Sequence, residues 1–133
     1  MPEHIKIEFS SEYAMRNGTA AISASGTATL ECAMANLPTV VCYKMSYLNW
    51  ILFNLFGKVK YISIVNLIAK KKIIPELIQH KMTSKNIIKK IFPYLDIKSE
   101  KRMKTIKQFD ILRKNLGKQG VFDRIANFIL REN

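Results

Sequence analysis

An apolar run, Ala20-Ala21-Ile22-Ser23-Ala24, leads into the small-residue turn Ser25-Gly26-Thr27 and out into Leu30, Ala33 and Met34 at helical spacing. No other stretch constrains the fold as much. A strand, a tight turn and a helix start in direct succession make one arm of a parallel α/β unit. The first turn of a helix offers backbone N–H groups without intrahelical partners and a partial positive charge. It suits a phosphate wherever the side chains are small enough for close approach. Ser25 and Thr27 add hydroxyl donors. Glu31 lies one turn beyond Thr27 on the same helical face, where a carboxylate can accept hydrogen bonds from a sugar diol. An ordinary helix cap fits the same residues, so this stretch alone leaves both readings open.

The remaining pattern fills in the elements. Ile5, Ile7 and Phe9 alternate with Lys6 and Glu8, which predicts a short strand. Glu12–Met15 predicts a brief helix ending near Asn17-Gly18. The helix after the Ser-Gly-Thr turn should stop near Asn36, because asparagine tolerates the left-handed conformation and Pro38 forbids continuation. Thr39-Val40-Val41 predicts a buried parallel strand. Within Met45–Phe56, Leu48, Ile51, Leu52, Leu55 and Phe56 share one helical face, in a segment too short to span a bilayer. Packing in a core or against another domain fits that segment, and so does a membrane interface beside Lys58 and Lys60.

Tyr61–Ile64 predicts another strand, Val65–Lys72 a loop, and a helix starts near Ile73 or Pro75. Thr83 or Ser84 caps a helix with Ile87, Ile88, Ile91 and Phe92 inward and Lys85, Lys89 and Lys90 outward. Ser99–Leu116 predicts a long amphipathic helix with Met103, Ile106, Phe109, Ile111 and Leu112 inward, ended at Gly117. Val121–Leu130 predicts a last helix. Strands alternate with helices in the first half, and the last third is helical. The fold class is α/β, a parallel sheet flanked by helices with further helices at the C-terminus.

The formal charge of +12 is unevenly placed. Residues 1–57 carry three basic and four acidic groups; residues 58–133 carry nineteen and six. A polyanionic partner, nucleic acid or anionic membrane, fits this asymmetry. A composition rich in Lys, Ile and Asn, spread over solvated helix faces, fits it too. Met1–Ser11 lacks the charged region and apolar core of a signal peptide. Cys32 and Cys42 sit in apolar settings, in a helix and a strand, and read as buried free thiols. His4 and His80 stand without thiol or carboxylate partners at ligand spacing, so no metal site is expected.

Four separated blocks agree in order and spacing with one family: Ala24–Glu31, Pro38–Lys44, Tyr61–Ala69 and Pro75–Ile78. From roughly Ile5 to the C-terminus the chain resembles the C-terminal domain of the lipid-A-disaccharide synthases. These are bacterial glycosyltransferases of the GT-B fold that join UDP-2,3-diacylglucosamine to 2,3-diacylglucosamine 1-phosphate and release UDP. The resemblance implies that residues 1–133 form a single partial domain, the Rossmann-like donor-nucleotide half. The acceptor domain, and the opening strand with its Pro-Gly-Ser-Arg turn, lie outside it. It implies no cofactor. The implied partners are the UDP-sugar, the lipid acceptor, the inner-membrane surface on its cytoplasmic side and an N-terminal half on a separate chain.

By the same resemblance, the N–H groups of Gly26 and Thr27, with the Ser25 and Thr27 hydroxyls, hold the UDP phosphates. Glu31 takes the ribose hydroxyls. Lys44, where the family tends to have arginine, neutralises phosphate charge; a merely solvated lysine also fits it. Asn66 stands at the asparagine of the family's Ser-Leu-Pro-Asn-Leu-Leu-Ala-Gly-Arg-Glu loop, as a substrate-binding and candidate catalytic residue; a local turn also fits it. Four positions depart from that loop: Val65 for proline, Lys70 for glycine, Lys71 for arginine and Lys72 for glutamate. A lysine at 70 resists backbone conformations open to glycine, and Lys71 loses the bidentate fork of arginine. Two other classes compete with the donor half. One is an inactive remnant. The other is a basic module binding nucleic acid or anionic lipid, against which the absence of a nucleic-acid motif weighs.

Overall fold

The computed structural model describes residues 4–46 and 60–117. Its elements are α1 (Ser11–Asn17), β1 (Ala21–Ser23), α2 (Thr27–Met34), β2 (Thr39–Tyr43), α3 (Ile64–Ala69), β3 (Glu76–Ile78), a 3-10 turn (Gln79–Lys81), α4 (Ser84–Leu95) and α5 (Glu100–Leu116). The strands form one parallel sheet in the order β1-β2-β3. The register is stepped: Ser23 and Glu76 both pair with Val41, so each strand starts further along than the one before.

Both faces of the sheet are covered because β2 is apolar without alternation. Val40 and Val41 point to opposite faces and both are buried. Val41 packs with Ala33, Val65, Ile73, Ile74, Phe109 and Leu112, which brings α2, α3 and α5 to one face. Val40 packs with Leu77 and Tyr94, with Ile87 and Ile91 of α4 against them. Two arginines fasten α5. Arg102 donates to the carbonyls of Thr19 and Tyr94. Arg113 donates to the last carbonyls of α2, at Ala33 (3.3 Å) and Met34 (3.0 Å), where a cation also meets the negative end of the helix.

Several expectations hold. β1 and β2 form where the apolar runs lie, and α2 ends before Asn36, which takes φ 57°. Thr83 caps α4, and Ser99 caps α5, which ends at Gly117 with φ 88°. Others are corrected. Ile5, Ile7 and Phe9 form no strand; the segment finds no partner among the described residues, and Phe9 is 94% exposed. Tyr61–Ile64 is not a strand, because the N–H groups of Ile62 and Ser63 donate to the Glu76 carboxylate rather than to a ladder. The expected loop at Val65–Lys72 is largely α3, opened by Ser63, whose hydroxyl accepts from the Asn66 N–H at 3.3 Å. The expected helix at Ile73 or Pro75 is β3, held by Val41 N–H donating to Pro75 C=O at 2.9 Å.

The inward faces also shift. On α4 it is Ile87, Ile91 and Tyr94 that pack, while Ile88 and Phe92 are 61% and 69% exposed. On α5, Thr105, Phe109 and Leu112 are buried, and Met103 and Ile111 lie outside. Most of Met45–Phe56, and all of Val121–Leu130, lie outside the described residues.

Lys70 does adopt the conformation a lysine resists. It caps α3 at φ 53°, ψ 22°, its N–H donating to Asn66 and Leu67 carbonyls. A left-handed L-residue costs about 1–2 kcal/mol, which glycine avoids at some entropic cost. Lys70→Gly is therefore expected to raise the unfolding free energy by about 1 kcal/mol, read as a higher urea midpoint at unchanged slope. A lower midpoint would contradict this geometry.

Candidate functional site

The carboxyl end of β1 delivers the chain into Ala24-Ser25-Gly26 and then α2. Gly26 is the N-cap of α2, and no side chain caps this helix. The other four described α-helices each have a serine or threonine hydroxyl accepting from the first turn, at Ser10, Ser63, Thr83 and Ser99. Gly26 sits at φ 161°, an extended backbone that any residue can adopt, and a Cβ there would meet nothing within 4 Å. Among the described residues neither strain nor packing calls for glycine; glycine is a common N-cap residue, and its missing side chain leaves room for close approach. Thr29, buried within the first turn, donates to the Gly26 carbonyl at 2.7 Å and fixes the cap.

Thr27 and Glu31 are exposed and line one groove of about 740 Å³ between α1 and α2. Arg16, Met15, Leu30 and Met34 line it with them. The groove thus joins the first residue of α2, the hydroxyls of Ser11 and Thr27, the carboxylates of Glu12 and Glu31, and a guanidinium beside apolar walls. Arg16 was not anticipated as part of a site. Its only sequence signal is the spacing from Glu12, with which it pairs at 2.7 Å on the exposed face of α1.

Ser25 is at the turn, but its hydroxyl donates to the Ile62 carbonyl at 3.0 Å, tying the turn to the segment before α3. That segment is organised by Glu76. Its carboxylate accepts from Ile62 N–H (3.2 Å), Ser63 N–H (2.9 Å), Ser63 hydroxyl (2.7 Å) and the Asn66 amide (2.9 Å). Four donors on one carboxylate, two of them next to the start of α3, place its negative charge where the helix end attracts it.

Asn66 is buried inside α3 and uses its whole hydrogen-bonding capacity within the protein. Its NH2 donates to Ile74 C=O and Glu76, both at 2.9 Å, and its oxygen accepts from Ile73 N–H (2.7 Å) and Ile74 N–H (3.0 Å). A continuous chain runs Asn66–Glu76–Ser63/Ile62–Ser25. Lys44 is exposed one residue past β2. The structure therefore brings Thr27 and Glu31 into one groove, while Ser25 and Gly26, in the turn just before Thr27, do not line it. Asn66 and Lys44 are outside that groove. Glu76 was missed as a hub; its only sequence signal was its place in the block Pro75–Ile78.

Among the described residues no group of three or more His, Cys, Asp or Glu side chains could hold a metal. Cys32 and Cys42 are free thiols, and burial raises both above the usual thiol range; for Cys32 a bond with Thr39 partly offsets this. Among the described residues no helix is long and apolar enough to cross a membrane.

Comparison with known proteins adds an independent line. Residues 2–124 match the family described as lipid-A-disaccharide synthetase. A lipid-A-disaccharide synthase of a Sulfurihydrogenibium species is 36% identical over 125 residues, covering 93% of this chain and 32% of that protein. The Blochmanniella floridana synthase is 36% identical over 117 residues, 88% of this chain and 30% of its own length. That of Wigglesworthia glossinidia brevipalpis is 43% identical over 95 residues, 71% and 24% respectively. The chain spans about a third or less of the length of these relatives.

Proposed function

The chain belongs to the lipid-A-disaccharide synthetase family, and we propose that it forms the UDP-sugar donor half of a lipid A disaccharide-forming glycosyltransferase. The donor is UDP-2,3-diacylglucosamine and the acceptor 2,3-diacylglucosamine 1-phosphate. The acceptor hydroxyl attacks the anomeric carbon, the bond from that carbon to the diphosphate oxygen breaks, and UDP leaves with inversion. The acceptor's proton passes to a base in polypeptide beyond this chain. The work takes place at the cytoplasmic surface of the inner membrane.

Within this half, the diphosphate docks on the N–H groups of Gly26 and Thr27. Its growing negative charge is stabilised by fixed helix-end dipoles, with no metal in the scheme. Glu31 accepts from the ribose hydroxyls across the groove, and Lys44 adds long-range attraction. Asn66 acts as a positioning residue: through Glu76 and Ile62 it sets where Ser25 stands. The observation that carries this reading is the start of α2 without a side-chain cap at Gly26, where no described residue fills the space a side chain would take.

Calorimetric titration with UDP tests it. Wild type is expected to bind saturably, and Glu31→Ala to weaken binding about tenfold or more, as befits hydrogen bonds to a charged acceptor. Gly26→Val is expected to abolish binding while costing under about 1 kcal/mol of stability, because its side chain enters open space. Unchanged UDP affinity in both variants would sink the donor-site assignment.

A further inference from the structure

The lysine run that departs from the family pattern has no place in the groove beside Thr27 and Glu31. Lys71 and Lys72 face instead a second concavity of about 310 Å³, completed by Lys101, Lys104, Thr105 and Gln108 of α5. Residues 101, 104, 105 and 108 share one helical face, so α5 presents two ammonium groups to the two from the turn after α3. Among the described residues no carboxylate lines the concavity. The nearest paired acid, Glu100, meets Lys104 at 3.4 Å with both side chains more than 70% exposed, where water screens the pair. Thr105 spends its proton on the Lys101 carbonyl. Gln108 completes the lining, its amide oxygen buried without a hydrogen-bond partner among the described residues.

Four cations line one small recess. Bringing like charges together is unfavourable, and a concave low-dielectric wall concentrates their field. A ligand whose phosphoryl oxygens accept hydrogen bonds and carry negative charge relieves both. We propose that this recess, between the α3–β3 turn and α5, is a phosphate-binding site separate from the nucleotide groove. Its ligand is a phosphate monoester or the phosphoryl group of an anionic lipid head. Lysines suit such a role as point charges and do not need the fork of arginine. The same chemistry comes from a soluble ester or from a membrane surface, and the two sources are separable by experiment.

The test uses the full chain at constant ionic strength. Glycerol 3-phosphate is titrated while backbone amide shifts are followed, and phosphatidylglycerol vesicles are used in parallel sedimentation, with phosphatidylcholine vesicles as the neutral reference. Saturable shifts at residues 71–73 and 101–108 are expected. Lys101→Gln with Lys104→Gln should weaken binding about tenfold or more, since each removes a charge-assisted contact. Lys85→Gln with Lys89→Gln, an equal loss of charge on α4, should change it less than twofold. Glu31→Ala should leave it untouched, which separates this site from the donor groove. Soluble ester binding identifies the free source. Binding to phosphatidylglycerol alone, lost in the α5 pair, identifies the lipid head. Equal effects of the α4 and α5 pairs, or no binding of either probe, would overturn the proposal.

Discussion

Asn66→Ala is expected to lower the unfolding free energy by about 3–5 kcal/mol, read by urea denaturation. The side chain is buried and makes four hydrogen bonds, three of them to the backbone of Ile73 and Ile74 and one to Glu76. Alanine strands the two N–H groups, the Ile74 carbonyl and one lone pair of the Glu76 carboxylate, in a place water does not reach. Each buried polar group left unmatched costs about 1–3 kcal/mol, partly recovered by relaxation. The local consequence is specific: Glu76 loses one of the donors that hold it under Ile62 and Ser63, and Ser25 is tethered to Ile62. Amide exchange at residues 62–66 should therefore rise more than at β2. A loss below about 1 kcal/mol would show that Asn66 is not the strut described.

Phe109→Ala should cost a comparable 3–5 kcal/mol, by lost burial and the cavity left behind. Its ring is buried among Ala33, Val41, Val65, Ile73, Ile74 and Leu112, where α5 closes over the sheet. Ile111, two positions on, is nearly half exposed. Ile111→Ala should stay within about 0.5–1 kcal/mol of wild type. Thermal unfolding of the pair checks the orientation of α5, since a helix turned as the sequence pattern alone suggests would make both residues costly.

That contrast shows where the sequence was legible. α1, β1, α2 and β2 follow from local signals, namely the Asn17-Gly18 stop, the small-residue turn at Ser25-Gly26-Thr27, a β-branched run, and Asn36 and Pro38 as stops. Helices α4 and α5 are equally clear in extent. Their inward faces are not, because Ile88, Phe92, Met103 and Ile111 are as apolar as the residues that pack. Orientation there is decided by tertiary neighbours: Tyr94 reaching Val40, and Arg102 and Arg113 reaching distant carbonyls. The stretch from Tyr61 to Ile78 was misread because its order is non-local. A carboxylate on β3 takes the N–H groups of Ile62 and Ser63, and a buried amide takes those of Ile73 and Ile74. No window of a few residues contains both partners. The site divides the same way. As candidate positions, the turn at Ser25, Gly26 and Thr27 and Glu31 one helical turn on were readable locally, whereas Glu76 and Arg16 depend on elements that meet only in the fold.

The most direct measurement is a crystal structure of this chain with UDP bound. The diphosphate oxygens should lie about 3 Å from the N–H groups of Gly26 and Thr27, with the ribose turned toward Glu31. A diphosphate seated among Lys71, Lys72, Lys101 and Lys104 instead, or a Gly26 corner closed off by neighbouring side chains, would contradict it.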